Sequence, residues 1–476
     1  MSTSKQKKQT PHLTRRDFVK TAGLTAAGFM IVPRHVIGRG YTPPSDKVNI
    51  AGIGVGGRGA SVLDELKSQN IVALCDVDDV RAAETYKKFD KAKRYKDYRK
   101  MLDQQKDFDA VVIATPDHSH APAALSAMSL GKHVYVEKPL THSISEARAL
   151  TAAAAQFKVV TQMGNQGSSG DGIRETQEII DAGIIGDVTK VHVWTNRPVW
   201  PQGVPTPTGD FEVPTSLDWN LWLGTAPDRK YNPNYLPFKW RGWWDFGTGA
   251  LGDMGCHFLD TPFKALRLKY PYAAEASCTQ VFSGDFFEAD YPDSCPPSSK
   301  VHIFFPARGE MPPVEVVWYD GGLLPERPEE LGANEEMGEW DGGIIFEGSK
   351  GKLMCGLFGN KPTLLPTSKM KDFQKPEPTI PRIKETHQMN WVKGITDGTP
   401  TTSSFDYAGP FTEMVLMGNL AVRCYNMKKL KFGKKPGDWA PYEYPGRLRL
   451  LWDGDNMRIT NFDPANEFVK REYRKF

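Results

Sequence analysis

The sequence predicts an α/β protein: a doubly wound parallel sheet first, then a second domain of mixed α and β character. Three observations lead there. Short apolar runs (NIAGIGV, IVALCDV, DAVVIAT, HVYVEK and VVTQM) alternate from residue 49 onward with helix-patterned stretches such as GASVLDELKSQ, PAALSAMSLG and SISEARALTAAAAQF, the order that joins parallel strands by helical crossovers. A glycine-rich loop closes the first of these runs. The chain's 476 residues exceed one ordinary core and call for two or three domains.

Composition narrows the class. Hydrophobic residues make up 39% and charged residues 25%, and the formal net charge is +3, too near balance to indicate nucleic acid or an anionic membrane as partner. Beyond the leader no window approaches the roughly 20 apolar residues of a membrane span. The six cysteines, Cys75, Cys256, Cys278, Cys295, Cys355 and Cys424, lack the spacing of a zinc cluster, so no metal is expected. Cys278 and Cys295 are close enough in sequence to bridge in an oxidising compartment.

Residues 1–40 read as a leader and linker. Thr14-Arg15-Arg16-Asp17-Phe18-Val19-Lys20 resembles a twin-arginine export signal, and the moderately apolar run from Thr21 to Pro33 suits that pathway better than a membrane anchor. The alternative is a basic tail. Export by this route carries folded proteins to the periplasm, so any cofactor would travel inside.

The glycine-rich loop is Gly54-x-Gly56-x-x-Gly59, with Gly57 and Arg58 inside it. Its first glycine permits the tight turn, the second lets a pyrophosphate approach the backbone, and the third allows close packing of helix on strand. The second strand ends at Asp76, 22 residues past Gly54, where a carboxylate can accept hydrogen bonds from the adenosine ribose. A 2′-phosphate beside that carboxylate would be repelled, so NAD is favoured over NADP, with Arg58 as a nearby cation that softens the preference.

Two later strand ends carry polar residues: ATPDHSH, with Thr115, Pro116, His118 and His120, and VEKP, with Glu137, Lys138 and Pro139. Ligands bind at the carboxyl ends of strands in such sheets. His118 and His120 lack a third zinc ligand at a familiar spacing and read as cofactor-loop or helix-start residues. Lys138 stands where desolvation and neighbouring charge can bring its pKa toward neutrality for proton transfer; the plainer reading is a solvated lysine beside a turn proline.

GIGVGGRGA, ATPDHSHAPAALSAMSLGKHVYVEKPL and the later GALGDMGCHFLD together resemble the glucose-fructose oxidoreductase and inositol dehydrogenase (Gfo/Idh/MocA) family. The resemblance implies a Rossmann domain over residues 41–166. It implies a C-terminal α+β domain over 167–436, with a large, open, mostly antiparallel sheet that covers the active site and forms dimers or tetramers. It further implies that Lys138 touches nicotinamide ribose and substrate, that the Lys138-Pro139 bond is cis, and that Asn165 in QMGNQ lies near the nicotinamide.

In the second domain IRETQEIIDAGIIGDVTKVHVWTNRP resembles the family's crossover from helix to first strand. Seven of the 12 tryptophans fall between positions 194 and 244. Aromatic faces suit the C–H faces of a pyranose, although most of the seven belong to a core on ordinary grounds; Trp200, Arg241 and Trp243 are the expected sugar-facing residues. In GALGDMGCHFLD a helix would place Asp253 and His257 four residues apart on one face. The family match makes Lys138, Asp253 and His257 the catalytic set: His257 the general base, Asp253 orienting substrate, Lys138 assisting. ETHQMNWVKGITDGTP and the run after it resemble the family's closing helices. The stretches 310–313 and 325–340 read as surface insertions, and 437–476 as an extension without chemistry.

An exported protein with NAD inside has no soluble pool to reoxidise it. Three routes follow: hydride return to a second sugar; a redox-neutral glycosidase working by oxidation, elimination, water addition and re-reduction; or plain dehydrogenation of a glycoside to a keto-sugar with an unidentified acceptor. All begin with oxidation of a carbinol carbon. The segment WWDFGTGALGDMGCH differs from the histidine-rich signature of the family's glycosidases, which places the hydrolase second. A sugar-binding protein without turnover is the alternative from another class.

Overall fold

The computed structural model describes residues 47–476; the leader lies outside the described residues. The first sheet has six parallel strands in the order β3-β2-β1-β4-β5-β6. They are β1 (Asn49–Ile53), β2 (Asn70–Cys75), β3 (Lys93–Tyr95), β4 (Ala110–Ile113), β5 (His133–Val136) and β6 (Thr161–Met163). Their connections carry helices α1 (Arg58–Glu65), α2 (Asp79–Lys88), α3 (Tyr98–Gln104), α4 (His120–Ser129) and α5 (Ile144–Phe157). β4 is buried along its whole length, as a strand covered on both faces must be. Local chemistry sets the helix starts. The Asp78 carboxylate accepts from the Val80 and Arg81 amides ahead of α2, and Ser143 with Glu146 forms a capping box on α5, arrangements that satisfy amides with no intrahelical partner.

Helix α6 (Asp171–Asp181) leads into β7 (Val188–Thr195), the crossover the sequence reading expects. Three helices follow: α7 (Trp219–Leu223), α8 (Gly249–Phe258) and α9 (Asp260–Ala265). The remaining strands are β8 (Ala273–Cys278), β9 (Phe282–Gly284), β10 (Phe287–Glu288), β11 (Ser299–Phe305), β12 (Val314–Tyr319), β13 (Gly342–Gly348), β14 (Gly351–Cys355), β15 (Thr363–Leu365), β16 (Lys429–Leu430), β17 (Tyr442–Glu443), β18 (Leu450–Asp453) and β19 (Arg458–Ile459). Nine of the strands form the second sheet, in the order β15-β14-β13-β7-β12-β11-β8-β18-β19. Only β7 and β12 pair in parallel within it; its other pairs are antiparallel. Along β11 buried and half-buried residues alternate strictly, so Val301, Ile303 and Phe305 face the core, the period of a sheet with one packed face.

Helices α10 (His387–Asp397) and α11 (Phe405–Tyr425) close the fold. Trp391 and Val392 of α10 join the core that holds Ile50, Val62 and Tyr135, so the closing helices do pack back onto the first sheet. Two sequence expectations give way here. Residues 325–340 are more than a surface insertion, since Leu331 is buried against Trp194, Val317 and Ile345. Cys278 and Cys295 do not bridge; both are free thiols.

Candidate active site

The strand ends of the first sheet open onto one cavity of about 470 Å³, within the usual range of roughly 300–1,000 Å³ for small-molecule and cofactor sites. At its floor the chain leaves β1 through Gly54, whose φ is +75°. A Cβ at Gly59 would stand 1.9 Å from the Gly54 carbonyl oxygen, so only glycine lets α1 lie this close to the turn. Asp76, just beyond β2, clamps the loop: its Oδ2 accepts from the Val55 and Gly56 amides at 2.8 and 3.0 Å, and its Oδ1 from the Asp78 amide at 3.0 Å. Burial raises the Asp76 pKa, opposed by those three donors.

The fit of a dinucleotide rests on what the loop leaves unsatisfied. Helix α1 has neither a side-chain cap nor an acidic residue in its first turn, so no carboxylate competes with an anion at its start. Thr115 borders the cavity with its buried hydroxyl unpaired. Gly54, Gly56, Asp76, Thr115 and Pro116 all line the space, and these residues fit NAD. Arg58 lines the cavity as expected, and its Nε donates to Glu137 Oε1 at 2.9 Å. Arg81 is the guanidinium packed over the loop, where a Cβ on Gly56 would meet its Cγ at 2.6 Å.

At the other end stand Lys138, Asp253 and His257, all bordering the same cavity. The Lys138-Pro139 bond is cis, as the resemblance implies. Lys138 Nζ donates to Asp253 Oδ1 at 2.8 Å and to the Asp253 carbonyl at 2.7 Å. Arg241 Nε donates to the same Oδ1 at 2.9 Å, its guanidinium lying 4.3 Å from the Trp240 ring centre and 4.4 Å from that of Phe238. Burial works against ionisation of Asp253, yet Lys138 and Arg241 hold its carboxyl well below the usual range. Helix α8 presents His257 one turn on. Burial, reinforced by the Lys138 charge, brings its pKa down to about 3, so the imidazole is neutral across the physiological range. Its Nδ1 is buried without a partner, which leaves Nε2 as the atom that can meet a substrate.

Sequence reasoning missed Asp117, which borders the cavity. It is buried, accepts from Thr248 Oγ1 at 2.7 Å, and is pushed up by burial to about 7. The one acidic residue of ATPDHSH was visible in the sequence, but nothing local said it would be buried beside Asp253.

Other expected residues stand elsewhere. Trp200 and Trp243 are core: the first donates to Gln202 Oε1 and the second to the Asn234 carbonyl, and the cavity takes Trp222, Phe238 and Trp240 instead. His118 and His120 do not border the cavity. The His118 ring lies between the carbonyls of Phe246 and Trp222, and that of His120 between those of Pro139 and Thr115; His120 thereby ties the loop after β4 to the loop after β5. Gly57 and Gly59 lie behind the lining, and Asn165 is buried beside Asp260 while its neighbour Gln166 forms the wall.

A family model for an oxidoreductase family with an NAD-binding Rossmann fold matches residues 47–165, and one for the C-terminal alpha/beta domain of that family matches 170–270. The chain is 31% identical over 150 residues to an inositol 2-dehydrogenase from Salmonella typhimurium, covering 31% of this chain and 44% of that protein. It is 30% identical over 163 residues to an alpha-N-acetylgalactosaminidase from Shewanella oneidensis, covering 28% and 35%. The match thus spans less than half the length of either relative. Among solved structures, the WlbA dehydrogenase from Bordetella pertussis, in complex with NADH and UDP-GlcNAcA, superposes with a TM-score of 0.54 at 15% identity over 79% of this chain and 97% of that one. GenD2 from gentamicin A biosynthesis, in complex with NAD, gives 0.52 at 19% identity over 82% and 97%. These likenesses show a shared fold.

Proposed function

The chain belongs to the Gfo/Idh/MocA oxidoreductase family, and from that premise we propose that it is an NAD-dependent enzyme oxidising a hydroxyl-bearing carbon of a sugar or glycoside. The observation that carries this is the convergence of Lys138, Asp253 and His257, from two domains, on the cavity that the glycine-rich loop floors. NAD, when bound, supplies the acceptor for the hydride of the carbinol carbon.

The chain's own residues manage the proton and the pose. His257, neutral and shielded, takes the substrate hydroxyl proton at Nε2. Asp253 gives Oδ1 to Lys138 and Arg241, and its Oδ2 is the oxygen left to accept from a substrate hydroxyl. The Lys138 ammonium stabilises negative charge as the hydroxyl loses its proton. Trp222 and Trp240 offer aromatic faces to a pyranose.

A second reading, a redox-neutral NAD-dependent glycosidase, draws support from the likeness to the Shewanella alpha-N-acetylgalactosaminidase. Incubation of the purified protein with a panel of glycosides, followed by mass analysis, separates the two: a keto-sugar supports the dehydrogenase, released aglycone with reducing sugar the glycosidase. Protein that binds sugar but binds no dinucleotide and changes no glycoside is a sugar-binding module, and the proposal fails. We also place the enzyme outside the cytoplasm, on the strength of Thr14–Lys20; Arg15→Lys with Arg16→Lys then traps it inside, as fractionation reads. A homo-oligomer built on the open sheet is part of this reading, and light scattering tests it.

A further inference from the structure

The extension that the sequence reading left without chemistry reaches the cavity: Phe476 is one of its walls. The route there is fixed at several points. Arg471 donates through Nε to Glu146 Oε1 at 2.8 Å, and through Nη2 to the His118 carbonyl and to Thr225 Oγ1. The Tyr473 hydroxyl donates to the same Glu146 oxygen at 2.7 Å. The Arg474 guanidinium reaches the carbonyls of Asn220, Gly224 and Ala226. The segment therefore bridges the first domain, at His118 and Glu146, to the second, at 220–226.

Phe476 has a seat built for it. Arg99, at the start of α3, is pinned to Asp97 by Nε and Nη2, each at 2.9 Å, and its guanidinium lies 4.0 Å from the centre of the Phe476 ring. Arg99 also donates to the Phe476 carbonyl. The neighbouring lining residues Val77, Asp78, Lys96 and Tyr98 follow β2 and β3, the side of the sheet that Asp76 marks as the adenosine end. Lys138, Asp253 and His257 stand at the opposite end.

We propose that residues 470–476 belong to the dinucleotide site, with the Phe476 ring packing against the adenine and the arginine ties making release of the cofactor wait on peeling of this segment. The proposal rests on the reading that the cavity holds NAD. It gives that reading a retention device, which an enzyme cut off from a soluble nicotinamide pool requires.

The test is the release rate of NADH from preloaded full-length protein, followed by fluorescence on dilution into excess NAD. Phe476→Ala is expected to speed release about tenfold or more, the scale of losing one aromatic stacking contact with a base, and Phe476→Tyr to restore slow release. Lys435→Ala, on an exposed residue outside the segment, keeps the unmodified rate. Removal of residues 470–476 gives at least the Phe476→Ala rate. Phe476→Ala protein that melts like the unmodified chain and releases NADH at the same rate overturns the proposal while leaving the NAD reading intact. Unmodified protein that binds no NADH overturns the NAD reading and this proposal with it.

Discussion

Lys138 and Asp253 are joined twice, the ammonium bridging both the side-chain Oδ1 and the backbone carbonyl of the same aspartate. The lysine follows a strand of the first sheet and the aspartate lies on a helix of the second domain, so one contact fixes the two halves of the cavity in register. Both side chains are largely buried, at 12% and 15% exposure. Removing Asp253 strands the Lys138 and Arg241 cations away from water. Asp253→Ala is expected to cost about 3–5 kcal/mol of stability, the scale for a broken buried ion pair, measured by denaturant unfolding. Asp253→Asn keeps the shape, and is expected to reduce sugar oxidation by about 100-fold or more, the general scale for lost electrostatic support at a reacting centre.

Acid should unfold this protein, and His257 is one reason. Its pKa falls from an ordinary 6.5 to about 3 in the folded state, so below 6.5 the unfolded chain binds a proton that the folded chain refuses. Stability is then complete above pH 6.5 and declines as pH falls toward 3. His118 and His387, lowered to about 3 and about 4 chiefly by burial, add to the same slope. His257→Gln is expected to make the decline shallower by about 1.4 kcal/mol per pH unit, read from urea midpoints at several pH values.

Asp117 runs the other way. Burial lifts it from 3.8 to about 7, so the folded state holds its proton across that interval and the group withdraws stability as pH rises from 3.8 to 7. Asp117→Asn keeps an acceptor for the Thr248 hydroxyl and cannot ionise. The variant is expected to gain stability relative to the unmodified chain above neutral pH. Its pH–activity profile should lose any inflection near 7, a readout unaffected by a purely structural role.

Cofactor choice depends on Asp76. Arg58 is paired with Glu137 at the cavity wall, and Arg81 lies over the glycine-rich loop. Asp76→Ser is expected to weaken NAD binding about tenfold or more and to narrow the gap to NADP, measured by quenching of tryptophan fluorescence. Glu137→Gln, which frees Arg58, should narrow that gap while leaving the clamp on the Val55 and Gly56 amides in place.

The parts of this protein that could be read in advance are those whose determinants are local. Gly54, Gly56 and Gly59 with Asp76 span one strand-turn-helix-strand unit, and the Asp253–His257 pair is a helical spacing; both emerge where the sequence puts them. The crossover at residues 171–195 is legible for the same reason, its helical period ending where strand alternation begins. What sequence could not supply was the outcome of docking distant segments. Trp222 and Trp240 border the cavity while Trp200 and Trp243 are packed inside, a sorting decided by how the segment from 196 to 248 lies against residues 77–79 and His118. His118 and His120 carried the look of ligands, and their ring nitrogens turned out to meet backbone carbonyls. Asp117 carries no signal of its own until Thr248, far along the chain, is laid against it.

The cavity has Ile53 on one wall and Phe476 on another, nearly the full span of the described residues. A ribosome makes the glycine-rich turn early and this aromatic wall late. A chain that lacks the Phe476 wall leaves the dinucleotide an unfinished enclosure, so secure loading waits on synthesis of this segment.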